Sequence, residues 1–168
     1  LVVIVVLFSI TKSYELQERR LKFNQQSEQL HSSMENRLEA GREVLFSLRS
    51  LFLSSNNIDK DDFARFTAHI LTRYPELQAL EWTPRIVNAN RSTYEATEGM
   101  PEHIFEAGEG DQLIPAAERP FYYPVSYIVP FVENKRAFGF DIASNPVAME
   151  ALDRARLDNG AVATAPIR

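Results

Sequence analysis

Trp82, Phe121, Tyr123, Tyr127, Phe131, Phe138 and Phe140 fall on segments that alternate as strands, with Arg85, Asp141 and Thr164 among them. Aromatic walls with a few converging polar groups are the composition of a small-molecule pocket. The ligand-binding set is expected in Trp82, Arg85, Tyr123, Tyr127, Phe131, Asp141 and Thr164, with non-covalent capture as its chemistry. The same aromatics would serve equally as plain core. Arg85 suits an anionic ligand or a neighbouring Glu. Asp141 lies between Phe140 and Ile142, and alternation places it with Gly139, either solvated or capping the turn at Ser144.

Other chemistries lack their residues. The chain has no G-x-S-x-G elbow, no H-E-x-x-H pair and no glycine-rich phosphate loop. It has no cysteine, which excludes disulfides, thiolate metal sites and Cys nucleophiles. His31, His69 and His103 lie far apart on different predicted elements, so neither a metal nor a cofactor is expected. Glu106, Glu109 and Asp111 fall on a predicted loop and need no catalytic role. A membrane-anchored hydrolase working through Asp and Glu therefore has no motif behind it, and a non-enzymatic chain is expected. A net charge of −5 gives no electrostatic footprint for nucleic acid. Asn90-Arg91-Ser92 fits a glycosylation acceptor, a triplet common by chance.

The elements that would position the set begin with LVVIVVLFSI (Leu1–Ile10), which is uncharged and shorter than the roughly 20 residues a membrane span needs. It reads as the end of a transmembrane helix, with a buried core helix as the alternative. From about Tyr14 to Phe52 there is no proline, and Leu16, Phe23 and Leu30 recur at heptad spacing. Met34, Leu38, Leu45, Leu48 and Phe52 continue the stripe, which predicts one amphipathic stalk helix able to pair with its own copy. Gly41 weakens this helix or marks close packing against the globular part. The stalk ends at the turn residues Ser54–Asn57. Asp59 then caps a second helix with Asp62 at its third position, Phe63, Phe66, Ile70, Leu71 and Tyr74 on its buried face, and Pro75 as its stop.

From Leu77 the pattern shortens to strands. Leu77–Val87 is a predicted strand bent at Pro84, and Asn88 or Asn90 caps a short helix ending at Gly99. His103–Ala116 predicts a hairpin turning at Gly108–Asp111. Phe121–Phe131 and Ala137–Ser144 are predicted strands, Asn145-Pro146 opens a helix closed by Gly160, and Ala161–Arg168 starts a further strand. The fold class is α+β: a long amino-terminal stalk helix, then an antiparallel sheet with flanking helices.

LEWTPRI (Leu80–Ile86), YYPVSYIVPFVEN (Tyr122–Asn134), GFDIASNP (Gly139–Pro146) and ALDRARLDNGAVATAPIR (Ala151–Arg168) together resemble the CHASE domain. That family is the extracellular sensory module of receptor histidine kinases and nucleotide cyclases. The resemblance covers roughly Phe63 to Arg168. It implies a stalk helix and two PAS-like units between transmembrane helices, the distal unit holding the ligand, with this chain stopping in or just after the first unit. Residues 1–10 are then the end of a span, 11–56 the stalk, and 57–168 an incomplete ligand-sensing PAS-like unit. Plant members read the adenine ring of cytokinins with an aspartate, where this chain has Ile128, Val129, Pro130 and Phe131. Thr164 does match a threonine of the closing strand. Cytokinin is thus not implied, while another small molecule is.

The expected function is an extracytoplasmic small-molecule sensor of a membrane-bound receptor, signalling through the stalk. A non-sensing dimerisation or protein-interaction module is the alternative. Expected partners are a small-molecule ligand, membrane lipid at the amino-terminal segment and a second copy through the stalk, with no nucleic acid. The expected location is the inner membrane with the bulk of the chain periplasmic, which suits the absence of cysteine. Arg19, Arg20 and Lys22 follow the span against the usual positive-inside bias.

Overall fold

A computed structural model describes residues 2–55 and 58–166, with side chains from Gln17 onward apart from Asp111. The side chains of the expected membrane-span end at Leu1–Ile10 and of Leu16 in the stripe, and the turn at Asn56-Asn57, lie outside what is described. Among the described residues, no helix is long and apolar enough to cross a membrane. The chain divides into two units, Leu1–Val44 and Leu45–Arg168.

From Val2 onward the first unit is helical, as part of α1 (Val2–Ser54). The absence of proline, with Leu, Glu, Gln and Arg frequent along the segment, allows this length. Its apolar stripe faces outward: Phe23 is 70% exposed and Leu30 64%. Met34 and Leu38 are exposed with them. Glu18–Lys22 at 2.9 Å decorates the surface, an exposed pair that contributes little to stability. An added Cβ at Gly41 would meet nothing within 4 Å among the described residues.

The second unit begins with the end of α1, where Leu48 is buried and Phe52 half-buried. Helix α2 (Lys60–Arg73) starts as its sequence predicts: the Asp59 side chain accepts from the Asp62 N–H at 2.8 Å. Its buried residues are Phe63 and Thr67, while Phe66, Ile70, Leu71 and Tyr74 are half-buried. Thr67 tolerates burial because its hydroxyl donates to the Phe63 carbonyl at 2.8 Å.

The strands form antiparallel pairs. β1 (Leu80–Trp82) lies against β6 (Tyr127–Val129) with Trp82 opposite Tyr127. β2 (Ile86–Val87) pairs with β5 (Phe121–Tyr122). The predicted strands Leu77–Val87 and Phe121–Phe131 are therefore each split, at Thr83-Pro84-Arg85 and at Tyr123–Ser126. Pro84 and Pro124 carry no N–H to continue a ladder. The Ser126 N–H donates to the Trp82 carbonyl at 2.9 Å, which extends the β1–β6 pairing into the gap. The predicted hairpin is present as β3 (Phe105–Ala107) and β4 (Leu113–Pro115), turning through Gly110 at φ +66°.

Other elements correct the sequence reading. Asn88 and Asn90 provide no side-chain cap for α3 (Arg91–Glu95). Asn88 instead donates to Glu118 and accepts from the Tyr122 hydroxyl. Ala137–Ser144 is not a strand. It holds only single bridges, Phe105 to Phe140 and Pro124 to Asp141, before a 3-10 turn at Ile142–Ser144. Gly139 at φ +88° breaks the run, and an added Cβ there would lie 2.8 Å from the His103 carbonyl. A further turn, α4 (Phe131–Asn134), follows β6.

Asn145 caps α5 (Pro146–Asp158), accepting from the Val147 and Ala148 N–H groups at 2.9 and 3.3 Å. The left-handed residue that closes α5 is Asn159 (φ 51°), one place before the expected Gly160. Asparagine is the side chain best able to stand in for glycine there. Residues 161–166 carry no strand, and Ile167-Arg168 lie outside the description.

A core of Tyr94, Ile104, Ala116 and Tyr122 binds the hairpin to α3 and β5. Beside it the Arg91 guanidinium donates to the carbonyls of Ala116 (2.9 Å) and Ile104 (3.3 Å), which flank the hairpin at its two ends. Glu95 accepts from Arg91 at 3.0 Å and from the Ile104 N–H at 2.9 Å. The Tyr94 hydroxyl meets the Ser126 hydroxyl at 2.5 Å, and burial pushes its pKa up to about 12.

Candidate functional site

The expected ligand-binding residues fall into separate places. Trp82 ends β1, and its ring stacks on Phe52 of α1 with centroids 3.7 Å apart and planes 11° apart. Tyr127, opposite it in the ladder, tilts against Phe63 at 5.7 Å and donates its hydroxyl to the Ile58 carbonyl at 3.2 Å. Phe63 also meets Phe52 at 6.3 Å. These aromatics join the end of the stalk helix to α2 and to the β1–β6 ribbon.

Along this junction runs a groove of about 550 Å³, lined by Leu48, Arg49, Phe52, Phe63, Glu81 and Trp82 among others. Its size suits a small organic molecule, and its wall is mostly apolar with two charged residues. Arg49 donates to the Asn159 carbonyl at 3.3 Å and to the Asn159 side-chain oxygen at 2.9 Å. A second hollow of about 370 Å³ lies on its other side, against Ala155, Asn159 and Val162. Glu81 is exposed by residue area, yet burial of its carboxyl pushes the pKa upward.

Arg85, Tyr123 and Asp141 come together elsewhere. The Arg85 guanidinium lies 4.4 Å from the Phe121 ring centre, so it rests on an aromatic face instead of on a Glu. Tyr123 meets Phe121 edge-on at 5.9 Å. Its backbone N–H donates to Asp141 at 2.7 Å. Of its two expected placements, solvated or capping the turn at Ser144, Asp141 takes the second: it is fully buried and accepts from the Ala143 N–H at 3.2 Å. Arg119 donates to its second oxygen at 2.8 Å and pairs at the same time with Glu106. Burial raises the Asp141 pKa, opposed by the Tyr123 N–H and by Arg119. The cluster joins β3, β5 and the approach to α5, and its bonds are those of an anchor.

Phe131 and Thr164 stand apart from both groups. Phe131 meets Phe138 edge-on at 5.6 Å, with the Lys60 ammonium 4.6 Å above its ring. Thr164 is exposed in the irregular residues after α5. Among the described residues, no group of His, Asp and Glu is placed to hold a metal ion.

Three groups were not foreseen in their roles. Phe52 was expected on the stalk stripe, and the same periodicity that marked it as buried could have marked it as a groove wall. Arg119 and Arg49 gave no signal, because an arginine before a proline, or on a charged helix face, is ordinary in sequence.

A search of curated proteins finds no match. The family model of the CHASE domain matches residues 56–168, which takes in α2, all the strands and α5. Through that match, together with the stalk helix and the α+β unit behind it, the chain belongs to the CHASE domain family, the extracellular sensory modules of membrane receptors.

Proposed function

We propose that this chain is the small-molecule-sensing part of a membrane-bound receptor of the histidine kinase or nucleotide or cyclic-dinucleotide cyclase kind. It lies on the periplasmic side of an inner membrane, anchored through its amino-terminal segment, and passes ligand occupancy to the stalk helix. The supporting observation is the groove, whose walls are divided between the end of α1 and the β1 and α2 residues Trp82, Glu81 and Phe63. A ligand that binds one placement of α1 against this wall more tightly than another shifts the balance between them. Trp82 is the expected-set residue in direct contact, and Tyr127 supports it from the neighbouring strand.

The test is a thermal-shift screen of metabolites on the whole chain, repeated for hits with Trp82→Ala. A hit raising Tm by several degrees, and lost on Trp82→Ala, supports the reading. Hits that leave Trp82→Ala as responsive as the parent chain would remove its basis.

The outward stripe of Phe23, Leu30, Met34 and Leu38 favours pairing of stalks as a second role. Sedimentation equilibrium should give a dimer that Leu30→Lys with Leu38→Lys converts to a monomer. A parent chain monomeric at high micromolar concentration would refute the pairing.

A further inference from the structure

The charges at the groove have partners on one side only. Arg49 uses one N–H on each terminal nitrogen to hold Asn159, and a guanidinium carries five donors. Its remaining donors have no partner among the described residues, and Arg49 lines both the groove and the neighbouring hollow. The Glu81 side chain makes no hydrogen bond or ion pair among the described residues, although Glu81 lines the same groove. Arg49 and Glu81 are also not paired with each other, since no contact of 4.0 Å or less joins them. Leu48, Phe52, Phe63 and Trp82 line the same groove. The groove thus offers a cation, an anion and an apolar wall.

We infer that the groove takes a zwitterionic small molecule with an apolar body, of the class of aliphatic and aromatic α-amino acids. The ligand carboxylate meets Arg49, its ammonium meets Glu81, and its side chain lies along Phe52, Phe63 and Trp82. A carboxylate competes with Asn159 for the guanidinium, because ionised acceptors bind it more strongly than amide or carbonyl oxygens do. Occupancy would then loosen the tie between α1 and the end of α5. This inference rests on the groove being the sensing site, and it adds the ligand class.

Isothermal titration of the whole chain with L-phenylalanine, phenylacetate and phenethylamine tests it. L-Phenylalanine should bind, and each analogue, lacking one charge, should bind at least about tenfold more weakly. Arg49→Gln and Glu81→Gln should each weaken L-phenylalanine by a similar factor. Glu81→Gln, at an exposed residue without partners, keeps the test sound if Arg49→Gln disturbs α5. Phenylacetate or phenethylamine binding as tightly as L-phenylalanine would overturn the zwitterion class and leave the sensing groove standing. Binding unchanged in Glu81→Gln would overturn it equally. If none of the three probes binds, the amino-acid class is overturned, and the metabolite screen with Trp82→Ala judges the groove itself.

Discussion

Replacing Asp141 by alanine removes a buried carboxylate that holds three elements together. The change strips the Tyr123 N–H of its acceptor at 2.7 Å and the Ala143 N–H of its acceptor at 3.2 Å. It also removes one of the two carboxylates on Arg119. Hydrogen bonds to a charged acceptor contribute about 1.5–3 kcal/mol each, and a buried N–H left alone costs about 1–3 kcal/mol. Against this, the desolvation of the carboxylate is relieved. Glu106 still partners Arg119, which places the net loss near the low end of the range for breaking a buried pair, about 3 kcal/mol. Asp141→Asn keeps an oxygen for both N–H groups and should lose at least about 1 kcal/mol less than alanine.

Urea unfolding of the whole chain, with midpoint and slope fitted separately, measures both variants. A loss below about 1 kcal/mol for alanine, or an equal loss for asparagine and alanine, would refute the anchoring argument. The pH dependence has a fixed sign. Burial raises the folded-state pKa of Asp141 above its ordinary value, so the protonated form is the one folding favours. That contribution is complete below the ordinary carboxylate pKa and fades as pH rises through the raised one. The stability gap between the parent chain and Asp141→Asn should therefore narrow between about pH 3 and neutrality. A gap that widens instead would mean that the Arg119 pair outweighs burial.

Phe63→Ala empties a fully buried site shared by Phe52 and Tyr127, and urea unfolding should show a loss of about 3–5 kcal/mol. Asp59→Ala removes the cap of α2 and should lower stability by about 1 kcal/mol in the same assay, without changing activity of the groove toward its ligand. In an alkaline titration followed at the tyrosinate absorbance, one tyrosine should ionise only near pH 12, and Tyr94→Phe should delete that step.

The sequence was most legible where a local rule acts alone. Asp59 and Asn145 announced their helices because a cap needs only the next few residues. The hairpin over His103–Ala116 followed from its turn in the same way. Ala137–Ser144 misled because its alternation is genuine, while its fate is decided by Gly139 against the His103 carbonyl and by Asp141 against the Tyr123 N–H. Both are contacts made across the fold. The candidate site was half-legible for the same reason. Trp82 was marked by its type, but its neighbour Phe52 lies 30 residues earlier on another element. Arg49 meets Asn159 from a separation of 110 residues, which no local pattern encodes.

The Arg91 side chain fastens both feet of the β3–β4 hairpin to the short helix it belongs to. With Glu95 tethering the Ile104 amide as well, the hairpin has no route to peel away while that helix stays wound. Amide protons along its two strands should accordingly trade with deuterium in a single shared opening, and lysine, a point charge without the guanidinium's fan of donors, would split that event into independent ones.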